Sequence, residues 1–170
     1  MQAIVTVDDV ELAKRVDTLA NKLMDRGWSM TTAESCTGGW IAKCCTDRAG
    51  SSAWFERGYV SYSNAAKHDL LDVDVALLED KGAVSREVAL QMAAGARRRA
   101  GVQAALAVTG IAGPDGGSAG KPVGTVWFAW AVDGKPVEAE RVVFSGDREA
   151  VRRQTVAHAL EGLINRLPRE

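Results

Sequence analysis

The chain has 170 residues, 46% hydrophobic and 25% charged, with a formal net charge of −1. That length and composition predict one globular domain over 1–170, large enough to bury roughly two-thirds of its unfolded surface without a staple. The charge balance speaks against a nucleic-acid binder, no apolar run is long enough to span a membrane, and the N-terminus lacks the features of a signal peptide. Cys36, Cys44 and Cys45 are too few and too clustered for a disulfide framework or a zinc motif. They fit a reducing, cytoplasmic setting.

In chain order, helical spacing of Val10, Ala13, Val16, Leu19, Ala20 and Leu23 predicts a helix over about 8–26, ended by Gly27. Ser29 to Ala33 reads as a short strand and Thr37 to Asp47 as a helix. After the Gly50-Ser51-Ser52 loop, Phe55 to Ser63 reads as a strand rich in Tyr and Val. Asn64 is the expected N-cap of a short helix through Leu71, and Val75 to Lys81 is another, closed by Gly82. Ser85 caps a helix over Arg86 to Ala100. The Arg97-Arg98-Arg99 run late in that helix suits its dipole as a solvated end.

Gln103 to Val108 is continuously apolar, the pattern of a strand buried on both faces. Gly110 to Gly120 is a glycine-rich loop. Thr125 to Val132 and Val137 to Phe144 form a hairpin around Asp133-Gly134. Asp147 caps a final helix with Val151, Thr155, Ala159, Leu163 and Leu167 on one stripe. Early alternation of helices and strands followed by a hairpin predicts an α/β fold, a three-layer α/β/α sandwich with a mixed sheet.

The stretch Thr31 to Trp40 concentrates the chemistry. A strand runs into a helix, and Ser35, Cys36 and Thr37 sit at the junction. The first amides of a helix lack intrahelical partners and favour anions, including the oxyanion of acyl transfer. The histidines, His68 and His158, bring no clustered ligands, so metal and triad mechanisms lack support. Serine with lysine remains: Ser35 as nucleophile and Lys67 as base.

An unperturbed lysine is only about 0.04% neutral at pH 7, so Lys67 must drop by roughly three pKa units, at about 4 kcal/mol. Burial, the helix N-terminus and nearby cations such as Arg57 or Arg148 are the candidate causes; an exposed surface lysine is the competing expectation. Tyr62, on the face opposite Tyr59, can relay a proton or orient the amine. Cys36 is the rival nucleophile, since a thiol at a helix start has a lowered pKa, or else a small buried hydrophobe. Glu34 reads as a structural acceptor near the helix start. The Thr109 to Ser118 loop can close backbone amides on a phosphate or carboxylate but is not a dinucleotide fingerprint. Arg148, in Ser145-Gly146-Asp147-Arg148, can reach a phosphate.

Together, Thr31 to Gly39, Gly50-Ser51-Ser52, Gly58 to Asn64 with Lys67, Gly82 to Ser85, Thr109 to Gly117, Lys121 to Val126 and Ser145 to Arg148 resemble the CinA C-terminal domain family, in order and over nearly the whole chain. Its stand-alone members are nicotinamide-nucleotide amidohydrolases. The resemblance implies hydrolysis of the carboxamide of nicotinamide mononucleotide to nicotinate mononucleotide and ammonia, with no metal or cofactor, by a cytoplasmic homodimer or higher homo-oligomer.

It also implies Ser35 and Lys67 as the catalytic pair, assisted by Tyr62. Ser52, Thr109 and Arg148 would line the same site, with Ser52 the alternative nucleophile. Amides from Cys36 through Thr37 to Gly38 would hold the oxyanion. Arg148 and the loop from Gly113 through Gly116 to Gly117 would hold the 5′-phosphate. Two other readings stand beside this one: an amidase of the same fold using Cys36, and a non-catalytic nucleotide sensor.

Overall fold

The structure, a computed structural model, describes residues 6–169. Its centre is a five-stranded sheet of order β2-β1-β3-β4-β5. The strands are β1 (Met30–Glu34), β2 (Phe55–Val60), β3 (Ala104–Gly110), β4 (Thr125–Val132) and β5 (Glu138–Val143). β1 pairs in parallel with β2 and β3, whereas β3–β4 and β4–β5 are antiparallel, so the sheet is mixed. The helices are α1 (Asp9–Arg26), α2 (Trp40–Asp47), α3 (Asn64–Leu71), α4 (Val75–Lys81), α5 (Arg86–Ala100) and α6 (Arg148–Arg166).

Side-chain size sorts the two faces of the sheet. Leu106 and Val108 of β3 and Phe128 and Trp130 of β4 point to the core shared with α1, α2 and α6. Ala33, Ala105, Ala107, Ala129 and Ala131 point the other way, against Leu71, Leu78 and the buried stripe of α5. Strand residues alternate between faces, so the small residues let α5 lie close while the large ones fill the opposite layer. The three-layer α/β/α arrangement follows. Trp130 anchors the α6 layer: its indole Nε1 donates to the Ala159 carbonyl at 3.0 Å, and a Cβ on Gly162 would lie 2.1 Å from its ring.

Helix ends follow local chemistry. Asp8, Ser85 and Asp147 accept from the amides of Glu11, Val88 and Ala150, and Gly27 and Gly101 close α1 and α5 in the left-handed conformation. The cap of α3 is Ser63, whose hydroxyl accepts from Ala66 N at 3.0 Å; Asn64, the expected cap, is the first helical residue. The arginine run is neutralised at the surface, Arg97 by Asp133, and Arg98 and Arg99 by Asp72. No helix of the described residues is long and apolar enough to cross a membrane.

This topology creates one place for a site. The chain leaves β1 toward β2 on one side and β3 on the other, so the strand order reverses at β1. Ligands of open α/β sheets bind beyond the carboxyl ends of the strands at such a point. Ser35 follows β1 there, Ser61 and Tyr62 follow β2, and Thr109-Gly110 closes β3.

Candidate active site

The corner after β1 is a tight turn rather than the start of a helix. Gly38 N donates to the Ser35 carbonyl at 3.1 Å, and Gly38 and Gly39 take φ of 57° and 101°. Those left-handed residues delay α2 to Trp40, three residues after the predicted start at Thr37. The amides opening α2 are also spoken for. Glu34, fully buried, accepts from Thr37 Oγ1 at 2.6 Å, Ile41 N at 2.8 Å and Ala42 N at 3.0 Å. Burial raises its pKa against the pull of those donors. A glutamate at the end of the preceding strand therefore caps α2 and removes the helix N-terminus as an oxyanion site. Among the described residues, the turn amides of Cys36 and Thr37 donate to no backbone carbonyl.

Lys67 is 1% exposed, which excludes the surface-lysine expectation. Its Nζ lies 2.9 Å from Ser35 Oγ, 3.0 Å from the Ser61 carbonyl and 2.8 Å from the Tyr62 carbonyl. Burial lowers its pKa to about 8. The expected cations do not cause this: Arg57 is engaged with Glu56 on exposed β2, and Arg148 bonds the Gly113 carbonyl.

The three contacts match both protonation states. A neutral amine has two N–H donors for the two carbonyls and one lone pair for the Ser35 hydroxyl. A protonated amine donates to all three, and Ser35 Oγ–H turns to the Tyr62 carbonyl 3.3 Å away. The pair can thus pass a proton without leaving a buried polar group unpaired.

β2 ends at Val60, earlier than the predicted Ser63, because the chain turns there to aim the Ser61 and Tyr62 carbonyls at Lys67. The Tyr62 side chain is 62% exposed and lies beyond the strand, so strand alternation with Tyr59 does not govern it. Tyr62 holds the amine through its backbone, and its phenol makes no bond to Lys67 among the described residues. Cys36 is buried, and desolvation, with the charge of Glu34, pushes its thiol up to about 12; the lowered pKa expected of a helix start is corrected.

Ser35, Cys36, Tyr62, Ala83, Val84, Thr109, Gly110, Ala112 and Arg148 line a cavity of about 220 Å³. Thr109 Oγ1 donates to the Ala83 carbonyl at 2.9 Å, fastening the Gly82-to-Ser85 loop over the end of β3. Arg148 donates to the Gly113 carbonyl at 2.8 Å, so Gly113 orients Arg148 and does not itself line the cavity. The wall residues Ala83 and Val84 carry no functional side-chain group, and only tertiary packing identifies them.

Several expected site residues lie elsewhere. Ser52 is in the 3-10 turn Ser51–Ala53 before β2, at the end of the sheet opposite Ser35, and is exposed. Thr37 is buried in the cap network, Gly38 spends its amide on the turn, and Gly116 faces Ile111 outside the cavity. His68 bonds the Val73 carbonyl and His158 pairs with Glu140, and neither bonds Ser35 among the described residues.

Comparison with known proteins agrees with the fold. A family model described as the CinA C-terminal domain matches residues 12–167. The chain is 54% identical over 155 residues to nicotinamide-nucleotide amidohydrolase PncC of Escherichia coli K12, covering 91% of this chain and 94% of that one. It is 56% identical over 153 residues to the protein of the same name from Pseudomonas putida, covering 88% and 95%. The crystal structure of competence/damage inducible protein CihA from Agrobacterium tumefaciens superposes with a TM-score of 0.89 at 43% identity, covering 97% of this chain and 98% of that one. With the family model spanning residues 12–167, this chain belongs to the CinA C-terminal domain family.

Proposed function

We propose that this protein is an amidohydrolase that converts nicotinamide mononucleotide and water to nicotinate mononucleotide and ammonia, a step of pyridine-nucleotide recycling. The observation that carries the mechanism is the buried Lys67 amine, 2.9 Å from Ser35 Oγ and without a carboxylate partner among the described residues. The names of the relatives from E. coli and P. putida support the substrate. The cavity of about 220 Å³ is below the roughly 300–1,000 Å³ of sites that enclose drug-sized ligands, so it suits the pyridine carboxamide head. The ribose phosphate then extends toward Arg148.

Neutral Lys67 takes the Ser35 proton as Oγ bonds the amide carbon, and the turn amides of Cys36 and Thr37 receive the oxyanion. The intermediate collapses as the C–N bond breaks, and the Lys67 ammonium protonates the leaving amide nitrogen, which departs as ammonia. A water, deprotonated by Lys67, attacks the ester, and Ser35 recovers its proton as nicotinate mononucleotide leaves. Tyr62 and Thr109 shape the site, and Ser52 has no part in the attack within one chain. The thiol of Cys36 stays protonated at neutral pH and is not the nucleophile. The reading includes a reducing, cytoplasmic setting and a homo-oligomer, the latter tested by light scattering.

The deciding experiment measures ammonia release from nicotinamide mononucleotide, nicotinamide riboside and nicotinamide, with Ser35→Ala and Lys67→Ala alongside wild type. Turnover is expected on the mononucleotide and loss of about 10³-fold or more in each variant. Full turnover in both variants refutes the dyad, and no turnover by wild type refutes the substrate.

A further inference from the structure

The turn that carries Ser35 is gripped from the α6 side by Arg152, a half-buried residue in the second turn of that helix. Its Nε donates to the Cys36 carbonyl at 3.1 Å and its Nη2 to the Thr37 carbonyl at 3.1 Å. The guanidinium carbon stands 5.4 Å from the centre of the Trp40 ring. Neighbouring Arg153 is ion-paired to Asp9 and Glu149, whereas Arg152 forms no ion pair among the described residues. An uncompensated cation is thus applied to the backbone just after the nucleophile.

Peptide planarity turns that grip into a constraint on catalysis. Each plane carries its carbonyl and its N–H on opposite sides. Fixing the Cys36 carbonyl fixes the Thr37 amide on the far side of the same plane. The Ser35 carbonyl, held by Gly38 N, fixes the Cys36 amide in the same way. These are the two turn amides that donate to no backbone carbonyl among the described residues. A donor at a carbonyl also polarises the peptide and strengthens donation from its N–H. Gly38 and Gly39 are left-handed and permissive, so the turn has little stiffness of its own.

We propose that Arg152 is a positioning residue for the amide-cleaving reaction: its fork on the Cys36 and Thr37 carbonyls holds the turn, aims the Thr37 amide at the oxyanion and keeps Ser35 Oγ against Lys67. This rests on Ser35 being the nucleophile. A role as ligand of the substrate phosphate fits less well. Arg152 does not line the cavity of Ser35; it lines an outer hollow of about 460 Å³ with Thr37, Gly38 and Trp40.

The test compares Arg152→Lys, which keeps the charge and loses the fork, with Arg152→Met, which loses both. The first readout is kcat and KM for ammonia release from nicotinamide mononucleotide. In both variants kcat is expected to fall about 100-fold, the cost of a misplacement near 1 Å, with KM within about threefold. The second readout is labelling of Ser35 by a fluorophosphonate, followed by intact mass. An Oγ–P bond forms, fluoride leaves, and Lys67 takes the proton, so labelling needs the same turn geometry but not the natural substrate. It is expected to slow in parallel with kcat.

Wild-type kcat and labelling in Arg152→Lys overturn the proposal. So does a large rise in KM at unchanged kcat, which makes Arg152 a substrate ligand. If wild type labels at Ser35 yet releases no ammonia, the substrate reading fails by itself. The labelling rate of Arg152→Lys then decides Arg152: slowed labelling sustains the proposal and unchanged labelling overturns it. Should Arg152→Met not fold, Arg152→Lys carries the test, with its urea midpoint showing that the lost rate belongs to folded protein.

Discussion

The buried Lys67 amine predicts how the enzyme responds to pH. Burial brings its pKa from 10.5 to about 8. At pH 7 about 10% of such lysines are neutral, against about 0.03% of unperturbed ones, a gain of roughly 300-fold in competent base. The rate with respect to free enzyme should rise about tenfold per pH unit below 7 and level off above about pH 8.5. The assay is kcat/KM for ammonia release between pH 6 and 9.5, at constant ionic strength. A flat profile, or a midpoint near 6.5 as for a histidine, refutes the assignment of Lys67 as base.

The same shift makes a stability prediction whose sign is fixed. The folded pKa lies below the unfolded one, so between about pH 8 and 10.5 the unfolded chain binds more protons, and Lys67 adds stability as pH rises. From pH 7 to 9 the gain is about 1 kcal/mol. Urea unfolding of wild type and Lys67→Met at both pH values isolates it, because contributions from other groups cancel in the difference. Parallel pH dependence in the two proteins refutes the burial argument.

Three further outcomes follow from the packing. Glu34→Ala strips the partner from the Thr37 hydroxyl and the Ile41 and Ala42 amides, and is expected to cost about 3 kcal/mol or more in urea unfolding. A loss below about 1 kcal/mol contradicts Glu34 as the cap of α2. Gly162→Ala drives a methyl into the Trp130 ring, 2.1 Å from the ideal Cβ, and should lower stability by about 1–3 kcal/mol. Cys36→Ala should keep kcat within several-fold of wild type, since burial holds that thiol protonated up to about 12; abolished turnover restores Cys36 as a candidate nucleophile.

Much of the architecture was legible in the chain itself. Apolar period and caps located α1, α5 and α6, and the unbroken apolar run of β3 announced burial on both faces. Two of the misplaced boundaries share one cause. Local propensity misplaces Thr37 and Ser61 to Ser63 because a partner outside the element decides each, and it misses the α3 cap by one residue, Ser63 for Asn64. Glu34 caps α2 from the preceding strand, and Lys67 draws the Ser61 and Tyr62 carbonyls out of β2. Ser35 and Lys67 stand together as candidates in the sequence because neither histidine has clustered ligands, and the structure brings the two within 2.9 Å.

What the sequence determined by itself was the set of elements and the layer class, with Ser35 and Lys67 as candidates, because periodicity, caps and residue types act over a few neighbours. The tertiary structure decided which groups meet. It buried Lys67 against two carbonyls and thereby lowered its pKa. It assigned the first amides of α2 to Glu34, sent Ser52 to the far end of the sheet, and set Arg152 on the turn of Ser35 across 116 residues of chain. Desolvation and long-range hydrogen bonds exist only once the sheet has gathered its strand ends, so no local pattern can encode them.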